Sequence, residues 1–408
     1  MMLSGIKVLD LTSVIVGPAA TLRLAEFGAE IIKIEPPDGD LLRTLGGPSP
    51  SGRMSGKFLH FNRDKRFVCL NLRTPEGREA ARRLAGTCDV LVTNIRPDAL
   101  ARLGLDAESC RERHPGLVHC SITGYGPGGP YRGLPAYDTV LQAASGLAGL
   151  TIGRDGRPSF SPFVAVDHIV GEITAGTISA ALVQKFRTGE GASIEIPMLE
   201  TMAAFVLKEH LGPATFEPPL GPAGDRRVLD PHARPVATRD GWIAITANTD
   251  VQARAFLEAV GRPELVDDER FSSVEARVSH SGEWFALREE ALAGRRTAEW
   301  LEIFSGIDVP AMPCHSLETV RDDPHLAAVD LVRDAVHPTE GPIHTLRPTV
   351  LLDGMPIETT SFAREVGADT RSVLEAAGFA GDEIDALIEA GAAMEPCGDT
   401  SRARRTEG

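Results

Sequence analysis

Residues 158–198 read PSFSPFVAVDHIVGEITAGTISAALVQKFRTGEGASIEIPM, and the reading of the fold turns on how this stretch is parsed. Ile169, Val170, Ile173, Ile178, Ala181, Leu182 and Phe186 recur at three- and four-residue spacing, the signature of a buried helix. Gly171 and Gly176 lower helix propensity but permit close packing, which predicts a tight neighbour. Thr188-Gly189-Glu190-Gly191 supplies a stop, because glycine accepts the positive φ of a helix C-terminus, and Ala192 to Met198 alternates as a strand does. Asp167 therefore falls at or just before a helix start. A carboxylate there can cap the free N–H groups of the first turn, worth about 0.5–2 kcal/mol. The same placement favours the ionised form that a carboxylate nucleophile needs. Spacing alone leaves both roles open.

Working back to the N-terminus, Ile6 to Leu11 reads as a buried strand, Pro18 to Phe27 as a helix stopped by Gly28, and Glu30 to Glu35 as a second strand. That is a βαβ unit, so the two strands lie parallel in one sheet. Glu35 at a strand end imitates the ribose-binding acid of a dinucleotide fold, but the turn Thr12 to Pro18 lacks the accompanying glycine fingerprint, which makes Glu35 structural. Residues 36–57, rich in Pro, Gly and Ser, read as a mobile loop. Phe67 to Leu72 is a strand, Thr74-Pro75-Glu76 opens a capped helix ending at Gly86, and Asp89 to Thr93 and Leu117 to Ile122 are further strands. Strands alternating with helices in this way predict an α/β fold with an open, largely parallel sheet. Gly124-Tyr125-Gly126-Pro127-Gly128-Gly129 matches the GxGxxG pattern but is broken by Pro127 and Pro130 and opens no helix, so it reads as a flexible loop over a ligand.

A chain of 408 residues predicts two domains. The expected division is a large domain from 1–198, a linker at 199–224 dense in Pro and Gly, a small α+β domain at 225–308, a second linker at 309–325, and a return to the large domain over 326–393. The tail 394–408 is expected to be disordered. Net charge of −15 opposes binding to nucleic acid or an anionic membrane, which need a positive field. No apolar run approaches spanning length, and the start lacks a basic, then apolar, leader, which points to the cytoplasm. The six cysteines show no CxxC pair, and the eleven histidines no HExxH, so neither disulfide nor metal is expected.

Ordered blocks carry a more specific signal. They are Gly5-Ile6-Lys7-Val8-Leu9-Asp10-Leu11-Thr12 with Gly17-Pro18, Phe27-Gly28-Ala29-Glu30-Ile31-Ile32-Lys33-Ile34-Glu35, Asn62-Arg63-Asp64-Lys65-Arg66, Leu70-Asn71-Leu72-Arg73-Thr74-Pro75-Glu76-Gly77, Asn94-Ile95-Arg96-Pro97, Ser121-Ile122-Thr123-Gly124-Tyr125-Gly126, and the Asp167 helix with its Gly189 stop. In this order they resemble the family III CoA-transferases, which include formyl-CoA:oxalate, carnitine and bile-acid CoA-transferases, over about the first 200 residues.

The resemblance implies a Rossmann-like large domain built from N- and C-terminal parts, an interlocked homodimer, and a transferase of sulfur-containing groups. Coenzyme A enters as the acyl-CoA co-substrate, with a free carboxylic acid as acceptor and no permanently bound cofactor. It implies Asp167 as nucleophile, and Ile15, Val16, Leu70, Arg73, Asn94, Ile95, Arg96 and Arg102 as residues lining the CoA site. Tyr137 and Asp138 fall beside the nucleophile. The related α-methylacyl-CoA racemases carry a histidine base at the Tyr137 position, whereas tyrosine is a poor base at neutral pH, so transfer is expected over racemisation. Oxalate-specific members carry a glutamine where Ile15 stands, an arginine where Pro36 stands and a glycine-rich lid in the second domain. An apolar Ile15 cannot hydrogen-bond a small dianion, which predicts a larger acid.

Overall fold

The computed structural model describes residues 1–396. The chain divides into two compact units, one made of Met1–Ser145, Pro162–Met202 and the chain from Val329 onward, the other of Gly146–Ser161 and Ala203–Ala328.

The first unit is built on a seven-stranded sheet. Its parallel part comprises β1 (Lys7–Leu11), β2 (Glu30–Glu35), β3 (Lys65–Leu70), β4 (Val90–Thr93), β5 (Val118–Thr123) and β6 (Ser193–Pro197), in the order 3-2-1-4-5-6. That is the doubly wound order, and the direction of winding reverses between β1 and β4. Strands β1 to β5 are buried along most of their length on both faces, and β4 reads as a continuous apolar run from Val90 to Val92, whereas the edge strand β6 alternates exposed with partly or fully buried residues. The interleaving helices are α1 (Val16–Glu26), α2 (Leu42–Leu45), α3 (Gly56–Phe61), α4 (Pro75–Ala85), α5 (Pro97–Leu103), α6 (Ala107–Arg113) and α7 (Asp138–Ala144). The Thr74 hydroxyl caps α4 by accepting from Gly77 N–H at 3.0 Å, with Pro75 in the first turn.

The last strand, Ala393–Met394, runs antiparallel to β3 and closes that edge. The tail expected to be disordered from 394 therefore begins with an ordered residue, and its remainder from 397 lies outside the described residues.

The central helix, Ala165–Thr188, packs chiefly on α1 and ends at Gly189, whose φ is +78°. A Cβ on Gly171 would meet the Val16 carbonyl oxygen at 2.9 Å and the Ala19 Cβ at 3.1 Å, so this glycine does mark a tight neighbour. Gly176 does not: it is exposed, with nothing within 4 Å of a built Cβ. The expectation that no run approaches spanning length also needs correction. This 24-residue helix meets that test by length and composition, with a mean hydropathy of 1.2. Half of its most apolar window is buried in the protein, and its Glu172 and Lys185 pair with Arg23 and Asp89. The buried face is the one carrying Val170, Ile178 and Leu182; Ile173 and Phe186, whose spacing placed them in the buried set, are 37% and 67% exposed.

Residues 36–57 are not the bare loop that their composition suggests. They contain α2 and lead into α3; Leu42, Met54 and Phe58 are buried in a cluster with Phe67 and Ile15. Glu35 pairs with Arg43 at 2.7 Å and accepts the Asp40 N–H, a structural role as expected.

The second unit has a three-stranded antiparallel sheet, Val236–Ala237, Trp242–Ile245 and Ala311–Pro313, covered by the helices Asp250–Ala259, Ser281–Leu292 and Thr297–Gly306. Phe256, Trp284, Trp300 and Phe304 form its core.

Candidate active site

At the reversal point, where β1 and β4 diverge, the chain opens a cavity of about 300 Å³. A doubly wound sheet binds ligands at this point, because the loops leaving the two strands part there. Ser13, Val14, Ile15 and Val16 follow β1, while Asn94, Ile95 and Arg96 follow β4; all of them line the cavity. The loop after β5 contributes Tyr125, Arg132 and Leu134, together with Tyr137 at its end. Asp167 completes the lining.

The geometry around Asp167 removes one of the two roles that spacing left open, that of helix cap. Asp167 is the third residue of its helix, and Val164 at the N-cap offers no side-chain cap. The first-turn N–H groups are taken instead by Asp138, whose Oδ1 accepts from Val166 N–H at 2.8 Å and from Asp167 N–H at 3.2 Å. Its Oδ2 accepts from the Gln142 amide at 2.6 Å. Asp138 is the cap, buried at 5% exposure, and the Asp167 carboxylate is left facing the cavity.

The sequence reasoning expected the helix start to keep Asp167 ionised, and here it is corrected. Burial, and next the negative charge of Asp138, push its carboxyl up from 3.8 to about 7. No cation pairs with it among the described residues, and the N–H groups that would favour the anion serve Asp138.

The other named residues separate into two groups. Asn94 lines the cavity, but both ends of its amide are engaged by Ser13: Oδ1 accepts from Ser13 N–H at 3.1 Å and Nδ2 donates to the Ser13 carbonyl at 2.9 Å. Arg96 is exposed at the mouth, just before Pro97 opens α5. Ile15 and Val16 are buried beneath the cavity, and Tyr137 stands 66% exposed at the start of α7. Leu70 is wholly buried in the core, while Arg73 and Arg102 lie on the surface; none of the three is in the lining. The similarity in sequence had grouped them with the site, but Leu70 at the end of β3 is packed with Leu9, Ile34 and Leu84. His168 packs against the rings of Phe61 and Phe163, with centroids at 5.4 and 6.0 Å.

Sequence reasoning missed Ser13, Val14 and Arg132. The first two follow a strand end, the one signal that could have found them; Arg132 carries none.

Residues 3–370 match the sequence profile of CoA-transferase family III. The chain belongs to CoA-transferase family III. It is similar to the succinyl-CoA:glutarate CoA-transferase of Homo sapiens, at 34% identity over 85% of this chain and 80% of that protein. It is similar to the succinate–glutarate CoA-transferase of Agrobacterium fabrum, at 33% identity over 91% and 94%. Among solved structures it is similar to Rv3272 from Mycobacterium tuberculosis, with a TM-score of 0.77 and 29% identity, covering 90% of this chain and 98% of that one. Membership makes this a CoA-transferase by class, with a CoA thioester as co-substrate, and the likeness to Rv3272 extends to the mixed α/β architecture with its parallel-rich sheet.

Proposed function

We propose that this family III CoA-transferase moves CoA from an acyl-CoA to a free carboxylic acid through Asp167. The observation that carries the proposal is that Asp138, not Asp167, satisfies the helix start, leaving a partly buried carboxylate with no structural duty on the cavity wall. In the proposed sequence an Asp167 oxygen attacks the thioester carbonyl, the carbon–sulfur bond breaks, and CoA leaves as thiolate, giving a mixed anhydride. The thiolate then attacks the aspartyl carbonyl, releasing the first acid and forming an aspartyl-CoA thioester. An acceptor carboxylate attacks that thioester and expels the thiolate, forming a second mixed anhydride; the thiolate then attacks the acceptor's acyl carbonyl, giving the new acyl-CoA and freeing the Asp167 carboxylate with no net change in protons. Water would hydrolyse both intermediates, which gives the loop from Tyr125 to Tyr137 a purpose as a cover.

We assign the acceptor to the dicarboxylic acids. Arg132 lines the same cavity and has no ion-pair partner among the described residues, so it is free to receive a second carboxylate. The two transferases named above, which act on glutarate, support this assignment. CoA phosphates are assigned to Arg96 at the mouth, with Arg73 and Arg102 further out on the surface. A homodimer is also proposed, supported by Ile173, Val183 and Phe186, which are 37%, 57% and 67% exposed on the central helix. The unpaired thiols among the described residues suit a reducing cytoplasm. Asp167→Ala is the test: exchange between an acyl-CoA and an acid should fall to background, and hydroxylamine should trap an acyl-aspartate only in the wild type. Wild-type exchange rates in the variant would end the proposal.

A further inference from the structure

Val14 has φ of +67°, a left-handed conformation that a β-branched residue adopts only under constraint. The constraint is visible. Asp40, almost fully buried, accepts from Val14 N–H at 3.0 Å and from Leu42 N–H at 2.9 Å through Oδ1. Its Oδ2 is held at 2.9 Å by the Lys33 ammonium, which has no exposed surface and also donates to the Thr12 carbonyl at 2.9 Å. A buried ion pair thus grips the short strap between β1 and α1, on the side opposite the Asn94–Ser13 bonds. Val14 and its neighbours line the cavity, so strain here coincides with a ligand wall.

We propose that Asp40, oriented by Lys33, is a positioning residue for CoA binding: it holds Val14 left-handed and thereby preforms the cavity wall. This rests on the reading that the cavity takes CoA. A buried pair replaced whole by apolar groups of similar volume is often tolerated, whereas removing one partner is not, so the test uses neutral pairs. Both K33M/D40L and K33M/D40N abolish the charges and the Lys33 bond to Thr12; only the second keeps an acceptor for Val14 N–H. CoA affinity, read by calorimetry, should fall about tenfold in K33M/D40L and recover in K33M/D40N. Adding Val14→Gly to K33M/D40L should also restore affinity, because glycine takes this φ without help.

Wild-type affinity in K33M/D40L, equal losses in the two pairs, or no rescue by Val14→Gly would each overturn the proposal. If K33M/D40L does not fold, Val14→Pro makes the perturbation with both charges in place, since proline cannot reach +67°; it should lose about tenfold, and unchanged affinity overturns the proposal. A wild-type protein that bound no CoA would remove the underlying reading instead. Amide exchange over residues 12–16 would then still decide the point, because faster exchange in K33M/D40L than in K33M/D40N supports the grip of Asp40 and equal exchange refutes it.

Discussion

Replacing Asp138 by Asn removes a negative charge beside Asp167 while leaving an oxygen to accept from Val166 and Asp167 N–H, at the cost of the present contact with Gln142. Two causes lift the Asp167 carboxyl from 3.8 to about 7, burial the larger and Asp138 the smaller. Less than half of that rise of about 3 pH units therefore belongs to Asp138, so the substitution should lower the midpoint by at most about 1.5 and leave it above roughly 5.5. In the proposed mechanism Asp167 attacks as the anion, so kcat/KM for acyl-CoA should climb with pH, half-maximal at about 7 in the wild type. At pH 6 only about a tenth of the wild-type carboxyl is ionised. With the full shift to about 5.5, about three quarters would be ionised in Asp138→Asn, and any smaller downward shift leaves a fraction between that and about a tenth. The variant should therefore retain a larger fraction of its own plateau rate at pH 6 than the wild type retains, by up to about eightfold at the full shift. The assay is a pH series of initial rates for each protein, normalised to its alkaline plateau. An unmoved or raised midpoint in Asp138→Asn would refute the electrostatic reasoning.

Three further outcomes are expected. A carboxyl raised in the native state binds more protons than in the unfolded chain between pH 3.8 and about 7, so its cost to stability appears as pH rises through that window and is complete above it. Asp167→Asn should then stabilise the protein at pH 8 by about 1–2 kcal/mol, discounted for water reaching the group, and not at pH 4, as thermal unfolding at the two values would show. Gly171→Val should destabilise by about 1–3 kcal/mol and lower kcat more than it raises KM, because its side chain drives into Val16 and Ala19 and displaces the helix that carries Asp167; steady-state kinetics with a melt checks this. Arg132→Met should raise KM for a dicarboxylic acceptor about tenfold and leave that for a monocarboxylic acid of equal length within about twofold, measured side by side.

Much of the sheet was legible because a parallel strand covered on both faces writes itself as a short run rich in apolar residues, as Val90 to Val92 does outright and Val8 to Leu11 does with Asp10 interrupting it. The strand Ala393–Met394 and the short helices α2 and α5 were not, since two to seven residues carry too little periodicity to separate from loop. Asp167 could be placed near a helix start from its neighbours alone. That Asp138, 29 residues earlier, would supply the cap could not, because the contact depends on how α7 meets the central helix. Leu70 shows the opposite failure: a residue can belong to a shared sequence block because it fills the core and not because it touches a ligand. The buried charges Asp10, Lys33, Asp40 and Lys65 read as ordinary surface residues in one dimension, since charges are buried only when three-dimensional partners exist.

At Gly171 the central helix runs so close to the carbonyl of Val16 that no side chain fits between the two backbones from which two sides of the cleft are hung. Neither can move closer to the other, and a larger residue at position 171 would wedge them apart. In the loop after β5, beyond the tightly packed Gly124 and Gly126, Gly128, Gly129 and Gly133 have empty space around them, which leaves this part of the cleft's rim the freest to move aside for a thioester. The rate of that excursion, rather than the distance to the nucleophile, would then set the pace of turnover.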